Sequence, residues 1–133
     1  NYTQNDVVIM AADPSDYKPA QAITNKLKGN SIELKLEKNV DIAKYIGENK
    51  TEKQTLVIFA AERENLIENA TKKLAKKNAD YVIANDVTMD GAGFFGDTNI
   101  ATIISKKGYS VESGLVSKDQ LAHIILDTIS DNK

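Results

Sequence analysis

The residues best suited to chemistry follow two apolar segments of the chain. The run from Thr55 to Phe59 leads into Ala60-Ala61-Glu62, and the run from Tyr81 to Ala84 leads into Asn85-Asp86. Small residues let a flat ligand approach the backbone, and a carboxamide and a carboxylate can bind ribose hydroxyls. Because ligands bind at the carboxyl ends of parallel strands in open α/β sheets, this pattern indicates a nucleotide-sized pocket.

An amphipathic segment of helical length, Glu64–Lys77, separates these two runs, so the unit is predicted to be strand–helix–strand. Its predicted buried face consists of Leu66, Ile67, Ala70 and Leu74. On a helical wheel Lys73 lies about 20° from Leu66, at the edge of that face. The stem of Lys73 can therefore lie along the protein while its ammonium reaches the pocket rim. A compact positive charge in that place suits a phosphate, whereas the neighbouring lysines are expected to be solvated.

The rest of the chain continues the alternation of strands and helices, which favours an α/β fold with a mainly parallel sheet. The predicted strands are 7–12, 55–61, 81–84, 99–105 and 109–112, the last two forming an antiparallel hairpin. The other predicted helices are 41–46, which should end at Gly47, and 117–130. Ser117 and Gln120 have the spacing of a capping box, and Asn78 is a plausible C-terminal cap for the middle helix.

Residues 19–39 fit this alternation poorly and are predicted to form a protruding arm. Within it, 20–28 is expected to be a short helix or irregular, and 31–37 alternates polar and apolar residues, as in a half-exposed strand. A strand outside the main sheet suggests pairing with a second subunit. Lysines at both ends of the arm are either solvated or part of a site for an anionic substrate.

The loop 88–98 is rich in glycine and carries Phe94 and Phe95. It lacks the strand–turn–helix order of a dinucleotide-binding fingerprint. Two interpretations remain open, a surface loop without function and a glycine-hinged flap whose aromatic ring covers a base.

The composition excludes several functional classes. The chain has 133 residues, a net charge of −2, no cysteine and a single histidine, His123. The charge does not favour nucleic acid, and the lack of cysteine excludes disulfides and thiolate chemistry. No metal-binding motif, membrane-length apolar run or signal peptide is visible, so we expect a cytoplasmic protein. Because Asn1 is not an initiator methionine, we expect the chain to be part of a longer protein.

Six motifs, in order and in spacing, resemble phosphopantothenate–cysteine ligase, also called phosphopantothenoylcysteine synthetase. The motifs are Ala11-Ala12 with Asp16–Pro19, Lys26–Lys28, Lys38–Ile42, Phe59–Glu62, Ala84–Val87 and Phe95–Asn99. The resemblance implies a Rossmann-like three-layer α/β sandwich that is a homodimer through a strand-bearing arm. It implies a ligase that joins 4′-phosphopantothenate to L-cysteine in coenzyme A biosynthesis, through an acyl-cytidylate made with CTP and Mg²⁺. It also implies an upstream or associated flavin-dependent decarboxylase.

The resemblance further implies roles for individual residues. The implied nucleotide-binding residues are Phe59, Ala60, Ala61, Lys73, Asn85, Asp86, Phe95 and Asp97. Lys73 is also the implied catalytic residue, since the family lysine on this helix contacts phosphates and assists activation. The implied substrate-binding residues, on the arm, are Lys26, Lys28 and Asn39. No metal ligand is assigned.

The chain departs from the family pattern in two places. The family commonly has Ala-Val-Ala-Asp-Tyr where this chain has Asp13–Tyr17, and proline where Val40 stands. The glycine-rich phosphate-binding turn and first strand of the family would precede Asn1, so we expect this chain alone to be inactive or nearly so. The alternative is a non-catalytic nucleotide-binding or dimerisation module. A flavodoxin-like or response-regulator domain has less support, because the first strand lacks their acidic cluster.

Overall fold

The structure, a computed structural model, describes residues 1–21, 26, 28–86 and 97–132. In chain order the strands are β1 (Val7–Met10), β2 (Tyr17–Pro19), β3 (Leu36–Lys38), β4 (Thr55–Glu62), β5 (Tyr81–Asp86), β6 (Thr98–Ser105) and β7 (Ser110–Ser117). The helices are α1 (Ile42–Asn49), α2 (Leu66–Lys76) and α3 (Lys118–Asp131), and a 3-10 turn spans Tyr2–Gln4. None of the described helices has the length and apolar character that a membrane span requires.

Five of the strands form one mixed sheet in the order β1-β4-β5-β6-β7. The β1–β4 and β4–β5 pairs are parallel, whereas β6 is antiparallel to both β5 and β7, so that β6 alone of these five runs against the others. This confirms the predicted mainly parallel sheet with an antiparallel hairpin. The last strand continues to Ser117, beyond the predicted end, through a bulge near Ile100 and a left-handed Gly114 (φ 65°) that bend the hairpin and let pairing resume.

Helices cover both faces of this sheet, as a Rossmann-like three-layer sandwich requires. On one face, Ile46 of α1 and Leu74 of α2 pack against Leu56 and Val82. On the other face, α3 packs against the sheet, and the buried residues are Val57, Tyr81, Ile83, Ala101, Ile103, Leu121, Ile125 and Ile129. Fully buried β-branched and leucine side chains on both faces explain why β4 and β5 have continuous apolar sequences.

Helix α1 passes through Gly47, so the prediction that it ends there was wrong. Asp41 caps the helix, since its carboxylate accepts a hydrogen bond from the Lys44 N–H (3.0 Å), and the helix runs from Ile42 to Asn49. A Cβ placed on Gly47 would lie 1.8 Å from the carbonyl oxygen of Lys77. The glycine is therefore explained by close contact between α1 and the end of α2 and not by helix termination.

Helix α2 is slightly shorter than predicted and buries Ala70 and Leu74 as expected. Ile67 is 51% exposed, contrary to prediction, because it lies about 100° from Leu66 at the edge of the apolar stripe. Asn78 follows the helix in a left-handed conformation (φ 48°), and its side-chain amide donates to the Gly47 carbonyl oxygen (2.7 Å). The predicted C-terminal cap thus also joins α2 to α1.

The predicted capping box of α3 is present. The Ser117 hydroxyl accepts a hydrogen bond from the Gln120 N–H (3.1 Å), and the Gln120 side chain accepts one from the Ser117 N–H (2.9 Å). Because Ser117 is also the last residue of β7, the strand turns into the helix without an intervening loop.

The arm contains a separate two-stranded antiparallel sheet, β2–β3. Tyr17–Pro19, which the sequence does not predict as a strand, pairs with Leu36–Lys38, so only the end of the predicted strand 31–37 belongs to a strand. The pairing is short because Pro19 has no N–H to donate, although Ala20 still donates to the Lys35 carbonyl oxygen (2.9 Å). Residues 22–25 and 27 of the arm lie outside the described part of the chain.

Asp80 lies at the edge of the sheet opposite the carboxyl ends of the parallel strands, where it contacts several elements. Its carboxylate accepts hydrogen bonds from the Leu56 N–H (2.8 Å) and from the Lys50 ammonium (3.0 Å), and it also pairs with Lys106. The Lys50 side chain is only 6% exposed, whereas that of Lys106 is 49% exposed. One buried carboxylate therefore links β4, β5, the end of β6 and the loop after α1.

Candidate functional site

The ends of β4 and β5 lie side by side at the carboxyl edge of the sheet. In the parallel register, Ala61 is paired with Asn85 and Glu62 with Asp86. The structure thus brings together the two segments that the sequence singled out. A cleft at this edge is where an open α/β sheet binds ligands.

Beyond Ile58, β4 has no neighbouring strand on one of its sides among the described residues. The β1–β4 register ends with Met10 and Ile58, whereas β4 continues to Glu62 alongside β5. Within the described ranges, residues 59–62 therefore have no strand partner on the side that faces β1. Ala61 is exposed, whereas Ala60 is only 2% exposed, so a flat ligand can approach this part of the strand at Ala61.

The candidate residues are divided between the two faces of the sheet. Phe59 packs with the α3-side cluster, and by strand alternation Ala61 and Asn85 point to that same face. Ala60 packs with the α1/α2-side cluster, and Glu62 and Asp86 point to that face. A single ligand that contacts both groups must therefore lie across the strand ends.

The side chain of Asn85 has a buried oxygen without a hydrogen-bond partner among the described residues. Its side-chain Oδ1 is buried and accepts no hydrogen bond from any residue in the described ranges. Burying a carbonyl oxygen without a donor costs free energy, so such an atom in a native site calls for an explanation. A hydroxyl of a bound ligand would satisfy it.

Lys73 reaches the carboxyl end of β4, where it pairs with Glu62. The distance from Lys73 Nζ to Glu62 Oε1 is 2.7 Å. The lysine side chain is 44% exposed, while the glutamate side chain is 14% exposed. The ammonium therefore lies at the carboxyl edge of the sheet, where the helical wheel placed it.

Sequence reasoning assigned no role to Glu62, although it belongs to the motif at the end of β4. The signal was available in the sequence. An acidic residue ends an apolar strand, and the following helix has a lysine at the edge of its buried face. Side chains on a helix incline toward its N-terminus, so this lysine points back to the end of the strand.

A second lysine of α2 pairs with the start of α1. Lys77 Nζ lies 3.5 Å from Asp41 Oδ1. Burial alone raises the pKa of the Asp41 carboxyl, but the Lys44 N–H bond and the charges of Lys77 and Lys44 outweigh it and hold the pKa below its ordinary value. Lys73 and Lys77, one turn apart, are thus each bound by a carboxylate from another element.

The predicted arm residues lie outside the five-stranded sheet. The side chain of Asn39 donates to the Ser15 carbonyl oxygen (3.2 Å) and accepts from the Val40 N–H (3.1 Å), so it joins the arm to the loop after β1. Lys26 and Lys28 are exposed. Asp97 is exposed just before β6, and its carbonyl oxygen accepts from the Lys118 N–H (3.0 Å). Phe95 lies outside the described residues.

The described part of the chain does not form a metal-binding cage. It contains no group of three or more acidic or histidine side chains that could hold a metal ion. Glu62 and Asp86 are the acidic pair at the carboxyl edge. Because Glu62 already pairs with Lys73, a Mg²⁺ ion at this edge would be held mainly by phosphate oxygens and waters, which Mg²⁺ commonly uses together with one or two carboxylates.

Comparison with known proteins identifies one matching family and relatives that share a name. Residues 1–132 match the family described as DNA/pantothenate metabolism flavoprotein C-terminal domain. The chain is 43% identical over 131 residues to the coenzyme A biosynthesis bifunctional protein CoaBC of Bacillus subtilis, covering 97% of this chain and 32% of that protein. It is 37% identical over 129 residues to CoaBC of Borreliella burgdorferi, covering 94% of this chain and 32% of that protein.

A solved structure shares the fold. The crystal structure of the C-terminal domain of a coenzyme A biosynthesis bifunctional protein CoaBC superposes with a TM-score of 0.75 at 39% identity, over 96% of this chain and 55% of that one. The chain therefore spans about a third of the length of the curated relatives it matches (32%).

Proposed function

The chain belongs to the DNA/pantothenate metabolism flavoprotein C-terminal domain family, and from this membership we propose that it is the phosphopantothenoylcysteine synthetase portion of a CoaBC-type protein. Within the longer protein, it joins 4′-phosphopantothenate to L-cysteine through an acyl-cytidylate formed from CTP. The observation that carries the proposal is the carboxyl edge of β4 and β5, where β4 has no partner strand beyond Ile58 on the β1 side, the Asn85 oxygen is buried without a partner among the described residues, and the Lys73 ammonium lies on the α2 side.

The proposed nucleotide lies across the strand ends. The cytosine faces the backbone of Phe59–Ala61, and the ribose hydroxyls face Asn85 and Asp86. The phosphates extend to the α2 side, where Lys73 lies. Phe59, Ala61 and Asn85 lie on the α3 side and Lys73 on the α2 side, which supports a ligand that extends across the strand ends. Asp97 and Phe95 would complete the nucleotide side of the site.

The chemistry needs placement and charge neutralisation more than a nucleophilic side chain. A carboxylate is a poor electrophile, so its oxygen first attacks the α-phosphorus of CTP and displaces pyrophosphate. The cysteine amine then attacks the acyl carbon of the mixed anhydride and displaces CMP. Lys73 stabilises negative charge at the phosphates, and Mg²⁺ bound with the triphosphate supplies further neutralisation.

The arm is proposed to serve the second substrate and the dimer. Ile32, Leu34 and Leu36 are each more than half exposed, an apolar stripe that a second subunit would cover. Lys26 and Lys28 are proposed to bind the phosphate of 4′-phosphopantothenate. Asn39, whose side chain already bonds within the chain, is proposed to hold the arm in position for that contact.

Calorimetric titration tests nucleotide binding. The chain, and a longer protein that extends upstream of Asn1, are titrated with CTP and with ATP in the presence of Mg²⁺. We expect CTP to bind more tightly than ATP, as the family resemblance implies, with backbone groups at the end of β4 forming the contacts to the base. Equal affinity for the two nucleotides in the extended protein would contradict the proposed base site.

A substitution tests the catalytic assignment. In the full-length protein, Lys73→Gln should lower kcat for ligation by about 10²-fold, the usual effect of losing one charge-stabilising donor. Lys72→Gln is the matched control, because Lys72 is the neighbouring lysine, is 69% exposed and pairs with Glu68 along the outer face of α2. Undiminished ligation by Lys73→Gln would refute the role of Lys73.

The exposed arm favours one second candidate, a non-catalytic nucleotide-binding or dimerisation module. Sedimentation of the full-length protein and of Leu34→Lys tests the arm, since a buried lysine in the interface should dissociate a dimer. A protein that dimerises and binds nucleotide but never forms acyl-cytidylate would establish this module instead.

The relatives are named bifunctional, so we also propose a flavin-dependent decarboxylase as the fused or associated partner. A cytoplasmic location stays a prediction.

A further inference from the structure

Glu62 is a largely buried acidic side chain at the carboxyl edge of the sheet, and the proposed reaction gives it no task. It ends β4, is 14% exposed and lies 2.7 Å from the Lys73 ammonium. We propose that Glu62 is a positioning residue that holds Lys73 at the carboxyl edge of the sheet and releases it to the phosphates of the nucleotide. This inference rests on the proposed function, since it names a determinant of the same site.

The two partners differ in how firmly they are held. Glu62 belongs to a strand whose register with β5 extends to that residue, and its side chain is largely enclosed. Lys73 has a long flexible stem and is nearly half exposed. Without a fixed counter-charge such a stem would sample many rotamers. A fixed carboxylate therefore places the ammonium in advance, which lowers the cost of assembling the reactive geometry.

The charges around Lys73 oppose the arrival of an anion. Asp86 is paired in register with Glu62, so two acidic side chains point to the same face at this edge. A phosphate that binds Lys73 must replace Glu62 as the partner of the ammonium. Glu62 thus weakens binding of the nucleotide in the ground state while it orients the lysine for the transition state. The two effects should be separable as changes in KM and kcat.

Helix α2 supplies a matched control pair. Lys72 and Glu68 are 2.6 Å apart, similar to Lys73 and Glu62, but both side chains are more than 60% exposed. In the full-length protein, Glu62→Gln should lower kcat by about tenfold, because a displaced catalytic group loses rate steeply. The same variant should lower KM for CTP, and Glu68→Gln should change neither quantity.

The kinetic outcomes separate the alternatives. Unchanged kcat and KM for Glu62→Gln would make the pair merely structural and overturn the proposal. A raised KM with unchanged kcat would make Glu62 a direct ligand of the nucleotide and would also overturn it. In a Lys73→Gln background, Glu62→Gln should have no further effect on kcat, since it acts through the lysine. An additive effect would contradict that route.

A spectroscopic readout keeps the test independent of ligation. In ¹⁵N-lysine-labelled full-length protein, the Lys73 ammonium resonance, assigned with Lys73→Arg, should be observable, should shift on addition of CTP with Mg²⁺ and should be lost in Glu62→Gln. A resonance that is the same in Glu62→Gln overturns the positioning role, whether or not the protein ligates. A Glu62-dependent resonance that shifts with CTP in a protein that never ligates overturns the proposed reaction but retains the positioning of Lys73.

Discussion

Replacement of Asp80 by asparagine should destabilise the fold by about 4 kcal/mol, because removing one partner of a buried ion pair typically costs about 3–5 kcal/mol. The substitution leaves the Lys50 ammonium, 6% exposed, without a counter-charge. The asparagine oxygen can still accept the hydrogen bond from the Leu56 N–H, so that bond does not enter the figure. A loss of this size is a large part of the roughly 5–15 kcal/mol that stabilises a typical domain.

Urea unfolding followed by circular dichroism measures this loss. Lys106→Gln is the control, because Lys106 is 49% exposed and its pairing with the same carboxylate should contribute no more than about 1 kcal/mol. Asp80→Ala should cost more than Asp80→Asn, because it also leaves the Leu56 N–H without an acceptor, at about 1–3 kcal/mol. An Asp80→Asn variant less destabilised than Lys106→Gln would refute the reasoning.

The same variant changes how stability depends on pH. Burial alone raises the pKa of the Asp80 carboxyl, but hydrogen bonds from Lys106, the Leu56 N–H and Lys50 outweigh it and hold the pKa below its ordinary value of 3.8. Such a group stabilises the fold fully above its unfolded pKa, and this contribution is lost as the pH falls through the lower folded pKa. The free energy of unfolding of the wild type should therefore fall below about pH 4 more steeply than that of Asp80→Asn. Equal acid slopes would contradict this assignment.

Three further predictions concern packing, capping and the arm. Gly47→Ala should lower the free energy of unfolding by about 1–3 kcal/mol in a urea titration, because the added Cβ would meet the Lys77 carbonyl oxygen at 1.8 Å. Ser117→Ala should lower it by about 1 kcal/mol through loss of the capping box, and Ser117→Asp should restore most of that loss. Leu34, 54% exposed, should be tolerant of Leu34→Lys in thermal unfolding of the monomer, since it packs against no buried cluster in the described residues. A loss of several degrees that does not depend on protein concentration would place it in an unrecognised core, because a loss caused by dissociation of a dimer depends on concentration.

The main sheet is predictable because its strands are continuous apolar runs and its helices have a regular apolar stripe. The sequence pattern locates Thr55–Glu62 and Tyr81–Asp86 to within two residues, and spacing alone identifies the Ser117 capping box. The errors occur where a distant contact decides the local structure. The sequence pattern around Gly47 indicates a helix end. This prediction is wrong because the glycine is required by its close contact with Lys77, a residue far away in the sequence.

In the arm and in the candidate site, too, the features that the sequence pattern does not predict depend on contacts between residues far apart in sequence. Tyr17–Pro19 has no strand pattern of its own and becomes a strand only by pairing with Leu36–Lys38. The cleft residues of β4 and β5 lie at the strand ends as predicted, since the carboxyl edge follows from topology. The importance of Glu62 depends on its pair with Lys73, and Asn85 can be recognised as unpartnered only once its surroundings are known.

The unequal lengths of β1 and β4 bear on how relatives with this fold could change their choice of base. The open segment beyond Ile58 exists because β1 stops at Met10 while β4 continues to Glu62. Lengthening β1, or shortening the turn that follows it, would cap this segment with a neighbouring strand and close it to any ligand. Point substitutions would leave its backbone groups in place. Insertions and deletions near Ala11–Pro14 are therefore the evolutionary changes to compare when base preference differs between relatives.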